Sequence, residues 1–231
     1  RRSSDLGIGK STLIIQSANS IALNNGTVLY VSGEESEEQV KLRADRVCEN
    51  LSDNLLIFPE TNIESVLAVC EQTKPKFLVI DSIQTMYSEE LDNTAGSITQ
   101  IRACSNLLMK YAKTNNVLIF IVAHVNKSGD LAGPKTIEHM VDCVLNFVGE
   151  RDRDLRILRS VKNRFGTTEE IGAFSMGQSG MTEVRDLSGT LLESSDIKEE
   201  GSVASALYEG SRPVFFEIQA LVTPANVGFA R

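Results

Sequence analysis

Apolar and polar residues alternate in blocks along the first half of the chain, and the blocks predict helices and strands in turn. Apolar residues at helical spacing predict helices over 12–23, 36–47, 61–72 and 98–114. Between them lie apolar runs without polar alternation: TVLYV at 27–31, LLIF at 55–58, KFLVID at 76–81 and VLIFIVAH at 117–124. Strands of this kind, separated by helices, are typical of a parallel sheet that helices cover on both faces.

Two short patterns predict where helices begin. Ser36 with Gln39, and Thr61 with Glu64, have the spacing of a capping box. In that motif a hydroxyl and a longer polar side chain each bond the other residue's backbone N–H. The patterns therefore place helix starts at Ser36 and at Thr61.

The pattern changes near residue 140. VDCVLNFVG at 141–149 and LRILRSVKN at 155–163 flank the charged turn ERDRD, which predicts an antiparallel hairpin, and residues 171–184 predict another short pair of strands. Residues 187–201 are polar and acidic and predict a linker, and an apolar unit follows over 202–231. We therefore predict one α/β domain over residues 1–186, then a linker, then the start of a second unit.

Composition narrows the class of protein. The 231 residues are 42% hydrophobic and 23% charged, as expected of a globular protein, and no apolar run is long enough for a membrane span. We expect a cytoplasmic protein with no membrane partner. A net charge of −8 argues against a generally basic nucleic-acid-binding surface but permits local DNA contacts through loops. Four cysteines without C-x-x-C spacing predict reduced, buried thiols.

The stretch GIGKST at 7–12 is the second half of a phosphate-binding loop. The full pattern, G-x-x-x-x-G-K-[ST], requires a first glycine at position 4, where this chain has Ser4. Such loops let backbone N–H groups converge on phosphate oxygens at a helix N-terminus. The alternative is a chance Gly-Lys-Ser in a surface turn, but the helical pattern that follows favours a phosphate site.

Each residue of this loop has an expected task. Lys10 would reach the β- and γ-phosphates, and Ser11 would ligate Mg²⁺. The remaining nucleotide-binding candidates in the loop are Gly7, Gly9 and Thr12.

Two carboxylates follow predicted strands. Asp81 ends the apolar run FLVI, where a Walker B aspartate holds Mg²⁺ through water; a helix N-cap is the alternative. Glu34 follows TVLYV, and the carboxyl end of a parallel strand faces the ligand crevice. There Glu34 would polarise the water that attacks the γ-phosphate. The alternative is a solvated acidic helix start, since Glu37 and Glu38 come next.

Three basic or titratable residues lie near other strand ends. His124 ends VLIFIVAH, where it either senses the γ-phosphate or has a structural role; the pattern leaves both open. Lys162 and Arg164 follow a strand at positions i and i+2, so in extended chain they point the same way. Such a pair suits a polyphosphate, including one bound by a neighbouring subunit, and the alternative is an exposed basic strand end.

Several segments together resemble the bacterial RadA/Sms family of DNA repair ATPases, which are RecA-like motors. They are VSGEES, FLVIDSIQTMY, GSITQIRACSNLLMKYAK, VAHVNKSGDLAGPKTIEHMVDCVLNF and KNRFG, and the resemblance spans about residues 5–231. It implies an α/β fold: a RecA-like P-loop ATPase core with a mostly parallel central sheet and C-terminal antiparallel hairpins. Residues 202–231 resemble the truncated start of a Lon-protease-like domain.

The resemblance also implies roles for residues. Lys10 and Ser11 match the lysine and serine of Walker A, and Asp81 matches Walker B. Glu34 matches the catalytic glutamate, and His124 matches a γ-phosphate sensor. Lys162 and Arg164 match the KNRFG cations, which act on ATP across a ring interface. Two DNA-binding loops are expected. The first is 87–98 with Thr94, Gly96 and Ser97, and the second is 126–137 with Lys127 and Lys135.

The implied function is a DNA-dependent ATPase that uses ATP and Mg²⁺. It would act as a homo-hexamer with a recombinase on single-stranded or branched DNA, driving branch migration in recombinational repair. The family's zinc module is not found in this chain, Ser4 and Leu6 stand where the family usually has Gly and Pro, and we expect the first strand to be missing. The alternatives are a replicative-helicase-like or clock-type RecA-fold ATPase, and an inactive fragment that serves only as an interaction module.

Overall fold

Helices and strands alternate through the first half of the computed structural model, and strands follow one another in the second half. The structure describes residues 8–124, 136–149, 154–187, 201–209 and 212–220. The helices are α1 (Lys10–Asn25), α2 (Glu37–Val47), α3 (Ile63–Thr73) and α4 (Ile98–Asn115). The strands are β1 (Val28–Ser32), β2 (Leu55–Pro59), β3 (Phe77–Asp81), β4 (Leu118–Ile121), β5 (Cys143–Gly149), β6 (Leu155–Asn163), β7 (Ile171–Gly177), β8 (Gly180–Glu183), β9 (Ser202–Glu209) and β10 (Arg212–Gln219).

The first four strands form one parallel sheet in the order β2-β1-β3-β4. The predicted parallel sheet is confirmed. Ser32 at the end of β1 pairs with Asp81 at the end of β3. Ile80 pairs with Ile121 at the end of β4. The strand ends are therefore level, and the residues that follow them share one edge of the sheet.

The sheet is buried on both faces. Leu29 and Val31 of β1 belong to one core with residues of α3 and α4. The intervening Val28 and Tyr30 belong to a second core with residues of α1 and α2. Because successive side chains of a strand point to opposite faces, a continuous apolar run satisfies both cores at once, as the sequence pattern predicted.

The two predicted helix starts have different outcomes. At α2 the capping box is present: Ser36 Oγ accepts from the Gln39 N–H at 3.4 Å, and Gln39 Oε1 accepts from the Ser36 N–H at 3.0 Å. The predicted start at Thr61 is wrong by one residue. Asn62 caps α3 by accepting from the Ser65 N–H at 2.8 Å, while the Thr61 N–H donates to the Glu60 side chain.

Beyond residue 140 the strands pair antiparallel. One sheet has the order β5-β6-β7-β8, and β9 pairs with β10 in a separate hairpin. The predicted hairpin over 141–163 and the predicted pair over 171–184 are confirmed. Residues 188–200 of the predicted linker lie outside the described residues. Within the described part of the chain, no helix is both long and apolar enough to cross a lipid bilayer.

One buried amide organises the segment between β3 and α4. The side chain of Gln100 is fully buried, and its Nε2 donates to the carbonyls of Ser88 at 3.1 Å, Leu91 at 3.1 Å and Asn93 at 2.9 Å. Its Oε1 accepts from the Ser88 N–H at 2.9 Å. Side-chain bonds of this kind take the place of the ladder that this irregular backbone lacks.

The cysteines are free thiols with different accessibility. Cys70 and Cys104 are buried, Cys48 is half-buried and Cys143 is exposed. The expectation of buried thiols is therefore wrong for Cys143, because it lies on β5 at the edge of its sheet. Burial raises the pKa of Cys70 to about 12 and that of Cys104 to about 11, because a thiolate there would lose its solvation.

We predict that Gln100→Ala lowers the free energy of unfolding by at least about 2 kcal/mol, since it removes the partner of the buried Ser88 N–H and carbonyl and of two partly buried carbonyls. The measurement is urea unfolding followed by circular dichroism. Asn106→Ala is the matched control, because Asn106 is exposed on the same helix. Equal unfolding midpoints for the two variants would contradict this assignment.

We predict that a thiol reagent modifies native Cys143 rapidly at pH 8 and leaves Cys70 and Cys104 intact until the chain is unfolded. The reactive species is the thiolate, which is scarce at pH 8 when the pKa is raised by burial. Mass spectrometry of digested, labelled protein identifies the modified residue. In Cys143→Ser the rapid phase should disappear, and fast modification of Cys70 in native protein would contradict the buried position of that side chain.

Candidate nucleotide-binding site

The N-terminus of α1 lies at the carboxyl edge of the parallel sheet. Gly9 is the N-cap with φ of 93°, in the left-handed region that favours glycine, and α1 begins at Lys10. The first N–H groups of a helix lack intrahelical partners and attract anions. Ser11 is half-buried and Thr12 is buried in this first turn, while Gly7 lies outside the described residues.

Lys10 contacts the predicted sensor His124. Its Nζ lies 3.0 Å from His124 Nδ1 and 3.5 Å from the Ala123 carbonyl oxygen. An ammonium group can only donate, so Nδ1 must accept and the ring proton must be on Nε2. His124 Nε2 lies 3.8 Å from Glu34 Oε1. The structure thus brings together three candidates, two of which are 114 residues apart.

Asp81 is held by a residue that the sequence analysis did not select. The Tyr30 hydroxyl donates to Asp81 Oδ2 at 2.5 Å, and the Asp81 carbonyl accepts from the Gly33 N–H at 2.8 Å. Burial raises the pKa of the Tyr30 phenol well above its usual value, and the Asp81 carboxylate raises it further, so the hydroxyl remains a donor. Asp81 caps no helix, which removes the alternative role considered for it.

Tyr30 carried a signal in the sequence. It is a phenol inside an otherwise apolar run, and the side chain is 1% exposed. A buried tyrosine hydroxyl usually requires a hydrogen-bond partner. The run therefore indicated that a polar acceptor lies beside β1, although not which one.

Glu34 and Glu35 have different partners. Glu34 Oε1 accepts from the Ser82 hydroxyl at 3.0 Å, and the Glu34 side chain remains 55% exposed. Glu35 pairs with Arg43 of α2 and is not simply solvated. Glu34 is therefore held by Ser82 while more than half of its side chain stays accessible to solvent.

A second residue that sequence reasoning missed lies between these groups. Gln84 Nε2 donates to the backbone carbonyl of His124 at 3.1 Å. The bond connects the segment that follows β3 with the segment that follows β4. A glutamine three residues after Asp81 has no local pattern that marks it, so only the fold reveals the contact.

Lys162 and Arg164 reach one segment of their own chain. Lys162 Nζ donates to the carbonyls of Glu138 and Val141, both at 2.7 Å. Arg164 Nη1 pairs with Asp142 at 2.7 Å. Both cations therefore point toward residues 138–142. None of their described contacts is with Lys10, His124 or Glu34.

The predicted DNA-binding residues are only partly described. Ser97 caps α4, its hydroxyl accepting from the Gln100 N–H at 3.3 Å. Thr94 is exposed, and its carbonyl accepts from the Ser97 N–H at 3.2 Å. Lys127 and Lys135 lie outside the described residues. The first predicted loop thus presents Thr94 to solvent and uses Ser97 to begin a helix.

The donors at this edge suit a divalent cation that shares its ligands with phosphate. Ser11 offers a hydroxyl and Asp81 a carboxylate, and hard cations such as Mg²⁺ prefer oxygen ligands. In the part of the chain that the structure describes, no group of three His, Cys, Asp or Glu side chains is placed to hold a metal ion. A cation here would need further oxygen ligands from phosphate or water.

Comparison with known proteins identifies the family of the chain. The family described as AAA domain matches residues 5–130. The chain is 51% identical over 227 residues to the DNA repair protein RadA of Listeria monocytogenes, covering 98% of this chain and 50% of that protein. It is 48% identical over 227 residues to RadA of Bacillus subtilis, covering 98% of this chain and 49% of that protein. The chain thus spans about half the length of the curated relatives it matches.

Two solved structures share the fold. One is an ATPase domain, which superposes with a TM-score of 0.64 at 15% identity and covers 78% of this chain and 82% of that one. The other is a KaiC-like protein of Pyrococcus horikoshii, which superposes with a TM-score of 0.61 at 18% identity and covers 78% and 85%. These likenesses confirm the RecA-like P-loop fold predicted from the sequence. The chain belongs to the AAA domain family of ATPases and, by its similarity to the RadA proteins, to the RadA/Sms family.

Proposed function

We propose that this chain is the ATP-binding and ATP-hydrolysing part of a RadA-type DNA repair ATPase. The observation that carries the proposal is the meeting of Lys10, His124 and Glu34 beside Asp81 at one edge of a parallel sheet. A phosphate-binding helix start, a metal-binding carboxylate and a candidate base are the parts that phosphoryl transfer to water needs. Membership of the AAA domain family supports the same reaction.

The nucleotide would bind at the start of α1. Lys10 would turn from His124 Nδ1 to the phosphate oxygens, while the first N–H groups of α1 neutralise phosphate charge. Ser11 would hold Mg²⁺ directly and Asp81 through water, with Tyr30 fixing one carboxylate oxygen. When bound, Mg²⁺ neutralises charge on the β- and γ-phosphates.

Glu34 would orient the attacking water, and His124 would report the γ-phosphate. Glu34 is exposed enough to admit water and is held by Ser82, so its carboxylate has a defined position. Lys162 and Arg164 would act on ATP bound by a neighbouring copy in a homo-hexameric ring, as an arginine finger does. To do so they would exchange their present partners in 138–142 for phosphate oxygens.

The nucleic-acid part of the proposal is DNA-dependent hydrolysis on single-stranded or branched DNA, with a recombinase as partner and branch migration as the outcome. Thr94 and Ser97 would contribute from the first loop, and Lys127 and Lys135 from the second. The name DNA repair protein, carried by the RadA relatives, supports a DNA substrate. We assign the ATPase domain to residues 1–186, the linker to 187–201 and a Lon-protease-like start to 202–231.

We predict that Lys10→Ala lowers ATP turnover by about 100-fold or more while circular dichroism stays unchanged, because it removes a charge that contacts the transferred phosphate. Phosphate release is measured with and without single-stranded DNA. Lys110→Ala, at an exposed position on α4, is the matched control. DNA should stimulate the wild type and the control. Wild-type turnover in Lys10→Ala would contradict the proposed phosphate site.

We predict that Glu34→Gln lowers the hydrolysis rate by about 100-fold or more but leaves ATP affinity within a few-fold of wild type, since the amide cannot accept a proton from water. Single-turnover hydrolysis and equilibrium binding of a fluorescent ATP analogue separate the two effects. Glu37→Gln, an exposed carboxylate in the first turn of α2, provides the comparison. If both variants hydrolyse ATP equally well, Glu34 is not the base.

A further inference from the structure

A buried arginine of the antiparallel sheet contacts the phosphate loop. Arg156 of β6 is 7% exposed, and its Nε donates to the Ile8 carbonyl oxygen at 3.0 Å across 148 residues of sequence. Its Nη1 donates to the Leu155 carbonyl at 3.0 Å. Burying a guanidinium is costly unless hydrogen bonds hold it, so its position is well defined.

The bond to Ile8 fixes the direction of a neighbouring N–H group. The Ile8 carbonyl and the Gly9 N–H belong to one planar peptide unit and point in opposite directions. A donor that holds the carbonyl from the sheet side therefore turns the Gly9 N–H toward the side where phosphate is expected. The positive guanidinium also polarises this peptide and strengthens the N–H as a donor.

A glycine on the adjacent strand makes room for the arginine. Gly149 of β5 pairs directly with Arg156. A Cβ at Gly149 would overlap Arg156 Cδ and lie 2.7 Å from Nε, so any larger residue would displace the guanidinium. The position of Arg156 can thus be disturbed without changing its charge.

The same sheet holds the loop and α1 at two more points. A Cβ at Gly9 would overlap the terminal methyl group of Met181, so β8 packs against the glycine of the loop. The Gln16 side chain accepts from the Met181 N–H at 2.9 Å and donates to its carbonyl at 3.3 Å. The antiparallel sheet therefore contacts the loop and α1 through β6 and β8, and Arg156 makes the charged contact with the loop.

We propose that Arg156 is a positioning residue for the phosphate loop, one that sets nucleotide affinity by aiming the Ile8–Gly9 peptide at the phosphates. The proposal rests on the proposed function of Lys10 and α1 as a nucleotide site. It assigns to β5–β8 a role in nucleotide binding that is exerted through the backbone of the loop.

The test is Mg-ADP affinity, measured by anisotropy of a fluorescent ADP analogue on the folded chain, together with thermal unfolding without nucleotide. Arg156→Met removes the charge and donors, and Arg156→Lys restores a charge with one donor group. Gly149→Ala keeps Arg156 but shifts its side chain. Arg159→Met is the control, since Arg159 is exposed on the same strand.

We expect Arg156→Met to bind ADP about tenfold or more weakly, because the charge-assisted hydrogen bond to the Ile8 carbonyl is lost. Arg156→Lys should restore part of the affinity. Gly149→Ala should weaken binding several-fold, and Arg159→Met should bind as wild type does. Lower thermal stability with unchanged ADP affinity in the Arg156 and Gly149 variants would show a structural role only and overturn the proposal. If Arg156→Met does not fold, Gly149→Ala decides alone. A wild-type chain that binds no nucleotide would overturn the proposed function, and this inference with it.

Discussion

The parallel pairing of β1, β3 and β4 is the constraint on which the site depends. Parallel strands in register end at the same edge of a sheet, so groups that follow different strands meet there whatever their distance in sequence. Ser32 is level with Asp81, and Ile80 with Ile121. Helix α1 precedes β1 and packs on the same sheet, and its first residue, Lys10, contacts His124 at this edge.

The antiparallel sheet contributes a second constraint from the opposite side of the loop. Its strand β6 carries Arg156, which donates to the Ile8 carbonyl, and six residues later Lys162, which donates to the carbonyls of Glu138 and Val141. At the rise of an extended strand these two cations are about 20 Å apart. The nine-residue strand β6 therefore carries both the arginine that contacts the phosphate loop and, at its far end, a cation proposed to act on a neighbour.

The sequence by itself determined the parallel architecture and most of the candidate site. Apolar runs such as TVLYV and FLVID are buried on both faces, and that requirement is local enough to read from composition and spacing. The positions of Lys10, Asp81 and His124 at element ends then followed, because strand ends and helix starts must meet at one edge. The cap at Ser36 was equally local and was predicted correctly. At α3 the cap is Asn62 and not Thr61, because both side chains offer an oxygen and only the backbone geometry selects between them.

Only the tertiary structure decided which side chains hold these groups in place. Tyr30 reaches Asp81 across 51 residues and Arg156 reaches Ile8 across 148, and neither pair has a fixed spacing that a sequence pattern could show. Such bonds depend on strand register and on how one sheet packs against a helix, which are properties of the whole core. Burial makes each of these contacts necessary, because a phenol or guanidinium removed from water needs a hydrogen-bond partner. The fold supplies that partner, and the neighbouring sequence does not.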